Sequence, residues 1–267
     1  NSGFELQLDG RIIDRAVKWD LGVNFSLNRS KVLVLSEDKD IFGGELDNTI
    51  LKDQLNLMRV GEPMYVFYGY VEDGYDENGH IVYKNMDDDP AITAADKTII
   101  GDPNPDFLVN LTTAVSYKGF TLSAFFQSSI GNDIYSLSMA AQAYDYGYNG
   151  NTLREVYYNH WTLENPTAKY PNLDQTSYKM SDRFVYDGSF VRLKNLELAY
   201  DVPCARNKFI KRARVYVSAQ NLFTITSYPF WDPDINANGG GSSMIQGVDS
   251  YCYPSARTYT IGCRLTF

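Results

Sequence analysis

One stretch of this chain has residue types and spacing that could hold an ion, and it runs from Asn85 to Asp96. Laid on a calcium loop of the D-x-[DN]-x-[DN]-G form, Asn85, Asp87 and Asp89 take positions 1, 3 and 5. Ala91 supplies a carbonyl at 7, Ile92 falls at the packing position 8, Thr93 at 9 and Asp96 at 12. Alternate oxygens at this spacing converge on a hard cation. Two departures work against it. Pro90 stands where glycine makes the turn, and a fixed φ near −65° cannot supply that turn. Asp96 is also one methylene shorter than the usual Glu. Two readings stay open: a calcium loop over 85–96, or a solvated acidic loop.

Other chemistry is sparse. The two histidines, His80 and His160, lie on expected loops, and no Ser/His/Asp or Cys/His arrangement accompanies them. The Gly239-Gly240-Gly241 run lacks a following Lys-Ser/Thr and reads as flexible rather than phosphate-binding. Cys204, Cys252 and Cys263 have no metal spacing. Cys263 reads as a small hydrophobe, and a Cys204–Cys252 bridge, which an oxidising compartment would allow, is not expected. A net charge of −9 disfavours nucleic acid or an anionic membrane surface as the main partner. The chain reads as a non-enzyme.

Aromatic residues form the second candidate set. Tyr144, Tyr146, Tyr148, Tyr157, Tyr158 and Trp161 gather in one long connection, and Phe230 and Trp231 in another. Such faces stack on sugar rings, or pack against a partner or neighbouring loops. Packing against a partner or loops is the reading taken.

The elements that position these residues are strands. In residues 257–267, Tyr259, Ile261, Cys263, Leu265 and Phe267 alternate with Thr258, Thr260, Gly262, Arg264 and Thr266. Successive strand side chains point to opposite faces, so this segment has one apolar and one polar wall. About ten residues is also the length of a tilted strand crossing a bilayer. The same alternation recurs over 4–12, 17–27, 107–117, 120–130 and 215–225. Between 189 and 202 the phase slips, which predicts a bulge near Lys194-Asn195. Adding the aromatic run 64–70 gives about eight strands. Lys18, Asp20, Asn24, Gln127, Ser218 and Gln220 fall on the polar face.

The connections divide into two classes. Asp14-Arg15, Lys118-Gly119 and 203–212 are short turns, whereas 29–62, 73–105, 131–187 and 227–256 are long, with a short helix expected over 152–161. Short turns at one end and long loops at the other is the asymmetry of bacterial outer-membrane barrels. Aromatics at 14% suit the interfacial girdles of such a barrel, and no apolar run reaches the ~18 residues of a membrane helix. The segment Asn1-Ser-Gly-Phe4 carries no signal-peptide pattern. The fold predicted is all-β, an antiparallel transmembrane β-barrel segment with long extracellular loops. Two alternatives remain: a non-TonB outer-membrane pore or enzyme barrel, and a soluble carbohydrate-binding β-sandwich.

Several marks resemble a known family. DGSFVRLKNLELAYDVP at 187–203 is similar to the "DGSFLRLKN…LGY.LP" segment of SusC/RagA-type TonB-linked outer-membrane proteins of Bacteroidetes. RVYVSAQNLFT at 214–224 resembles their "R.YVS.QNLFT" strand. Asp232-Pro-Asp234, Tyr253-Pro254 and Arg257-Thr-Tyr259 resemble the "DPE", "YP" and "R.Y" marks. GDPNPDF at 101–107 with Tyr117-Lys-Gly-Phe120 resembles "GN.NPDF…YKGF". Phe67-Tyr-Gly-Tyr70, Trp161-Thr162 and Asn165-Pro-Thr167 fit as well. The marks span nearly the whole chain in family order.

The resemblance implies that residues 1–267 are the carboxyl-terminal portion of a plugged barrel of roughly 22 strands, with the plug and earlier strands lying elsewhere. It implies outer-membrane import of a nutrient, glycan or peptide, in a Gram-negative bacterium. The implied partners are a SusD-like surface lipoprotein over the long loops, TonB through the missing amino-terminal part, the rest of the barrel and outer-membrane lipid. It also implies that Tyr259, Leu265 and the terminal Phe267 belong to the signal for barrel insertion.

Overall fold

The computed structural model describes residues 1–47, 51–144, 151–204, 209–235 and 244–267. Seven long strands form one antiparallel sheet in chain order: β1 (Ser2–Asp14), β2 (Val17–Arg29), β3 (Phe107–Tyr117), β4 (Phe120–Ile130), β5 (Phe190–Val202), β6 (Arg212–Thr226) and β7 (Thr258–Thr266). Pairing keeps the alternation in phase across the whole sheet. One row reads Leu8, Val23, Leu111, Phe126, Leu193 and Phe223, each opposite the next. Another reads Leu122, Leu198, Val217 and Ile261. Every apolar set therefore lands on the same face.

That face is bare. Ile261 is 88% exposed and Phe4 56%, and Leu8, Phe120, Leu122, Val215 and Ile225 are exposed too. Among the described residues no second sheet covers it, so the β-sandwich alternative falls. Trp19 lies on this face with its indole N–H donating to Thr113 Oγ1 at 2.9 Å, an apolar body with a satisfied polar tip.

The sheet has seven strands, not eight. Val66–Gly69 instead joins Thr98–Gly101, Asn56–Met58 and Ile41–Phe42 in a small separate sheet, with Val66 and Phe67 buried. Had residues 64–70 crossed with the others, 29–62 and 73–105 would have emerged at opposite ends. As one connection, 30–106, they emerge together with 131–189 and 227–257, while all short turns lie at the other end.

Turn chemistry explains the tight hairpin. Lys118 and Gly119 both have positive φ, 47° and 86°, the conformation that matches the twist of two antiparallel strands. The slip expected near Lys194-Asn195 is present. Phe125 pairs with Asn195 and Phe126 with Leu193, so Lys194 is the extra residue of a bulge. A second bulge lies beside it in β6, where Leu193 faces Phe223 but Asn195 faces Gln220. Asn221 accommodates it at φ 51°. Part of the turn between β5 and β6, 205–208, lies outside the described residues.

The long connections are folded. Besides the small sheet, Asp133–Ser136 pairs with both Val185–Asp187 and Val248–Asp249, and the helices Leu137–Tyr144 and Arg154–Tyr158 pack alongside. The expected helix over 152–161 is thus confined to its middle. One hydrophobic cluster draws Leu55, Phe67 and Tyr83 from the first connection, Tyr135, Tyr144 and Phe184 from the second, and Ile245 and Val248 from the third. This cap holds the main buried core; the sheet has two faces and no interior. No helix among the described residues is long and apolar enough to cross a membrane, which says nothing of strands.

Depth on the apolar face sets the cost of a charge. Leu265 pairs with Ala213 one position from the strand ends, whereas Ile261 faces Val217 well inside the sheet. Ile261→Arg is expected to destabilise the folded barrel by about 2–4 kcal/mol and Leu265→Arg by about 0–1 kcal/mol. Equilibrium unfolding in lipid bilayers checks this, and equal small costs at both positions would mean the face is not in lipid.

Candidate transport surface: the polar face and the folded cap

The opposite face of the sheet carries the polar residues. Lys18, Asp20, Asn24, Gln127, Ser218 and Gln220 all lie on it, as their spacing predicts, at different levels along the strands. Toward the short-turn end it is charged: Arg11 donates to Asp20 at 2.8 Å, and Arg214 lies 3.8 Å from Glu197 and 3.6 Å from Asp201. These pairs are open to water, which screens them, and add little to stability. Toward the long-connection end carboxamides and hydroxyls predominate, with Glu5 and Arg192 among them.

One buried charge on this face joins wall to cap. Arg192 of β5 is 1% exposed. Its Nε donates to Thr224 Oγ1 at 2.9 Å and its Nη1 to Asp234 Oδ2 and Ser255 Oγ, both at 3.2 Å. Its Nη2 donates to Asp232. Asp232 in turn accepts the amides of Asp234 and Ser255 at 2.9 Å each. Both stems of the last connection are therefore clamped to the sheet by one guanidinium. Burial alone would raise the Asp232 carboxyl, but those two amides and the Arg192 charge outweigh it and hold it below the ordinary carboxylate value. A second, part-buried pair, Glu72 with Arg183, ties the first connection to the second, with Ser181 Oγ donating to Glu72 at 2.7 Å. A third group, Tyr228 Oη donating to Asp249 at 2.6 Å and accepting from Ser136 Oγ at 2.9 Å, ties the second to the third.

None of these three groups was singled out by local sequence spacing. Arg192 and Asp232 lie within the family-like marks, but no periodicity links positions forty residues apart. The signal that could have found them is composition: a charged residue inside an otherwise apolar strand end needs a partner.

The acidic loop is ordered by its own backbone. Asn85, Asp87 and Asp89 each accept the amide two residues on, at 3.1, 2.9 and 3.0 Å. Asp96 is buried; its two oxygens accept the amides of Met86 and Thr93 at 2.7 Å each, closing a capping box with Thr93. Those amides hold its carboxyl below the ordinary value. The carbonyl of Ala91 lies in the same turn. The oxygens that the spacing assigns to a cation are here turned onto amides. Among the described residues no group of three or more His, Cys, Asp or Glu has a metal-holding arrangement.

The aromatic candidates separate by burial. Tyr144 is in the core, stacked on Tyr178 at 3.8 Å and edge-on to Phe184 at 5.1 Å. Trp161 is buried over Gly79, where a Cβ would meet the indole at 2.2 Å. Tyr157 and Tyr158, on the helix Arg154–Tyr158, are exposed, as is Trp231, which stacks on Phe230 at 4.7 Å. Tyr146 and Tyr148 lie outside the described residues. His80 pairs with Asp174 at 2.8 Å, and His160 Nδ1 lies 2.8 Å from the Tyr157 carbonyl. Cys204 and Cys263 are free thiols.

Removing Asp232 takes from the buried Arg192 its closest counter-ion and leaves only the longer contact to the half-exposed Asp234. Asp232→Ala is therefore expected to cost about 3–5 kcal/mol in chemical denaturation of the full receptor. It should also make residues 227–257 sensitive to protease. Because the Asp232 carboxyl is depressed in the fold, its contribution is present above the ordinary carboxylate pKa of about 4 and lost as pH falls through the lower folded value. Acid should thus loosen this connection in the native protein and not in the variant.

No protein-family model matches the chain. Its whole length aligns with the TonB-dependent receptor P3 of Formosa agariphila at 31% identity, covering 28% of that protein. It aligns with the TonB-dependent receptor SusC of Bacteroides thetaiotaomicron at 28% identity, covering 26%. Among solved structures, the RagAB peptide transporter matches over 99% of this chain and 29% of that chain, with a TM-score of 0.79 at 26% identity. The RagAB peptide importer in its closed-closed state gives 0.81 at 25% identity, again over 99% of this chain and 29% of that one. The chain thus spans under a third of the length of the relatives it matches. Along its full length the chain is similar in sequence to TonB-dependent receptors, SusC among them, and in fold to the RagAB peptide transporter.

Proposed function

We propose that these residues form the carboxyl-terminal part of a barrel of roughly 22 strands. The complete receptor imports a glycan or peptide across the outer membrane of a Gram-negative bacterium, driven through TonB. The single observation that carries this reading is the seven-stranded sheet, apolar on one face and polar on the other, with β1 and β7 at opposite edges. Hydrocarbon does not tolerate unpaired strand edges, so strands from the rest of the receptor complete the wall. The relatives named as TonB-dependent receptors and the RagAB likeness support the same assembly.

In this reading the cap faces outward. Tyr157, Tyr158 and Trp231, exposed on a preformed frame, meet a SusD-like lipoprotein that lids the barrel. No residue of this chain is assigned a catalytic role. Tyr259 and Leu265 of β7, with Phe267 just beyond it, belong to the insertion signal.

The deciding experiment is nutrient uptake by cells carrying the full-length receptor and its lipoprotein, with and without TonB. Uptake should vanish without TonB and fall sharply for Tyr157→Ala/Tyr158→Ala at unchanged receptor level. Persistence of uptake without TonB would overturn the importer reading. Separately, deletion of Phe267 should lower the amount of folded barrel while leaving uptake per folded molecule unchanged, as heat-modifiability gels and surface labelling would show.

A further inference from the structure

Across the polar face, one level below the cap, four carboxamides lie side by side on neighbouring strands. Gln7 pairs with Asn24, Asn24 with Asn110, Asn110 with Gln127, and Gln127 with Arg192. Neighbouring strands stand about 4.8 Å apart, so the row spans roughly 14 Å, the length of about four extended residues. Among the described residues, no side-chain hydrogen bond is formed by Asn24 or Gln127, and Asn110 Oδ1 is buried without a partner. A buried acceptor left unpaired is costly, and native structures rarely keep one without a use. The row opens into a cavity of about 270 Å³ between wall and cap, lined by Asn110, Gln127, Pro103, Pro105, Leu108 and Pro233. Its far end is closed by Arg192, which is neutralised by Asp232 and Asp234.

We propose that this row and cavity form a binding track for the main chain of an uncharged peptide segment, which rests on the importer reading above. A carboxamide offers one acceptor and two donors, matching the C=O and N–H that a peptide repeats along its length. The prolines and Leu108 give the cavity apolar relief suited to aliphatic side chains. A sugar would call for an open aromatic face. The aromatic ring lining this cavity, Phe190, is buried, with the Arg192 guanidinium 5.2 Å above its centre. Arg192 is spent on Asp232 and Asp234, so the track carries no free fixed cation for an acidic ligand.

The test measures uptake of two probes, a tryptic casein digest and malto-oligosaccharides, by cells carrying the full-length receptor with its lipoprotein. Receptor level is followed by surface labelling. TonB-dependent peptide uptake should fall roughly tenfold in Asn110→Ala/Gln127→Ala. Asn110→Gln/Gln127→Asn, which keeps the amide chemistry, should restore most of it. TonB-dependent peptide uptake unaltered in the alanine variant overturns the track and leaves the importer intact. Malto-oligosaccharide uptake that alone depends on these residues overturns the peptide assignment. Uptake of neither probe overturns the peptide track; uptake independent of TonB overturns the track together with the function it rests on.

Discussion

Hydrocarbon offers no hydrogen-bond partner to a backbone amide or carbonyl, and the architecture of this chain follows from that. Every strand that crosses must be paired along its length on both sides, so the wall has to be a continuous ladder. A ladder one sheet thick, with lipid on one face and water on the other, has no interior in which to build a core. The wall residues are accordingly chosen for the face they present. Hydrophobic burial in the usual sense is displaced to the long connections, where residues from 30–106, 131–189 and 227–257 share one cluster. Two stabilising regimes thus coexist: backbone pairing and lipid for the sheet, ordinary packing for the cap.

The join between the regimes is where the sheet departs from regularity. Bulges at Lys194 and beside Asn221 lie within a few residues of Arg192. A bulge bends its strand and increases the local twist, re-aiming the side chains beyond it. The bulged Asn221 also gives its side-chain amide to the Ala256 carbonyl at 3.0 Å, tying β6 to the residue two before β7. With Arg192 gripping Asp232, Asp234 and Ser255, the last connection is held at both stems. Irregularity in the ladder and ion pairing in the cap serve the same junction.

What the sequence made legible was what a period of two can carry. The apolar face, the Lys118-Gly119 hairpin, the bulge near Lys194 and the grouping of long connections at one end all follow from alternation and turn chemistry. The run 64–70 was misplaced because period two cannot distinguish a dry strand from a lipid-facing one. Val66 and Phe67 are buried inside the cap, so their apolar character answers protein and not membrane. For Tyr144 and Trp161 the sequence left partner packing and loop packing together, and both are buried against neighbouring loops. An amphipathic ring serves a core or an interface equally well, and only their neighbours, Phe184 and Gly79, decide between the two. The Arg192 clamp was out of reach because it joins residues remote in sequence through tertiary contact alone.

A core shared by three connections also constrains how such a cap can move. Freeing one connection from the others would expose Phe67, Tyr135 or Val248, each fully buried, at a cost of roughly 1.5–3 kcal/mol for every large side chain uncovered. It would also break the Glu72–Arg183 and Tyr228–Ser136 links, which bridge connections rather than lie within one. Independent loop opening is therefore disfavoured relative to motion of the cap as one body. If Tyr157, Tyr158 and Trp231, carried on such a body, meet the proposed lid, they need little ordering when it arrives, so more of their contact free energy goes into association.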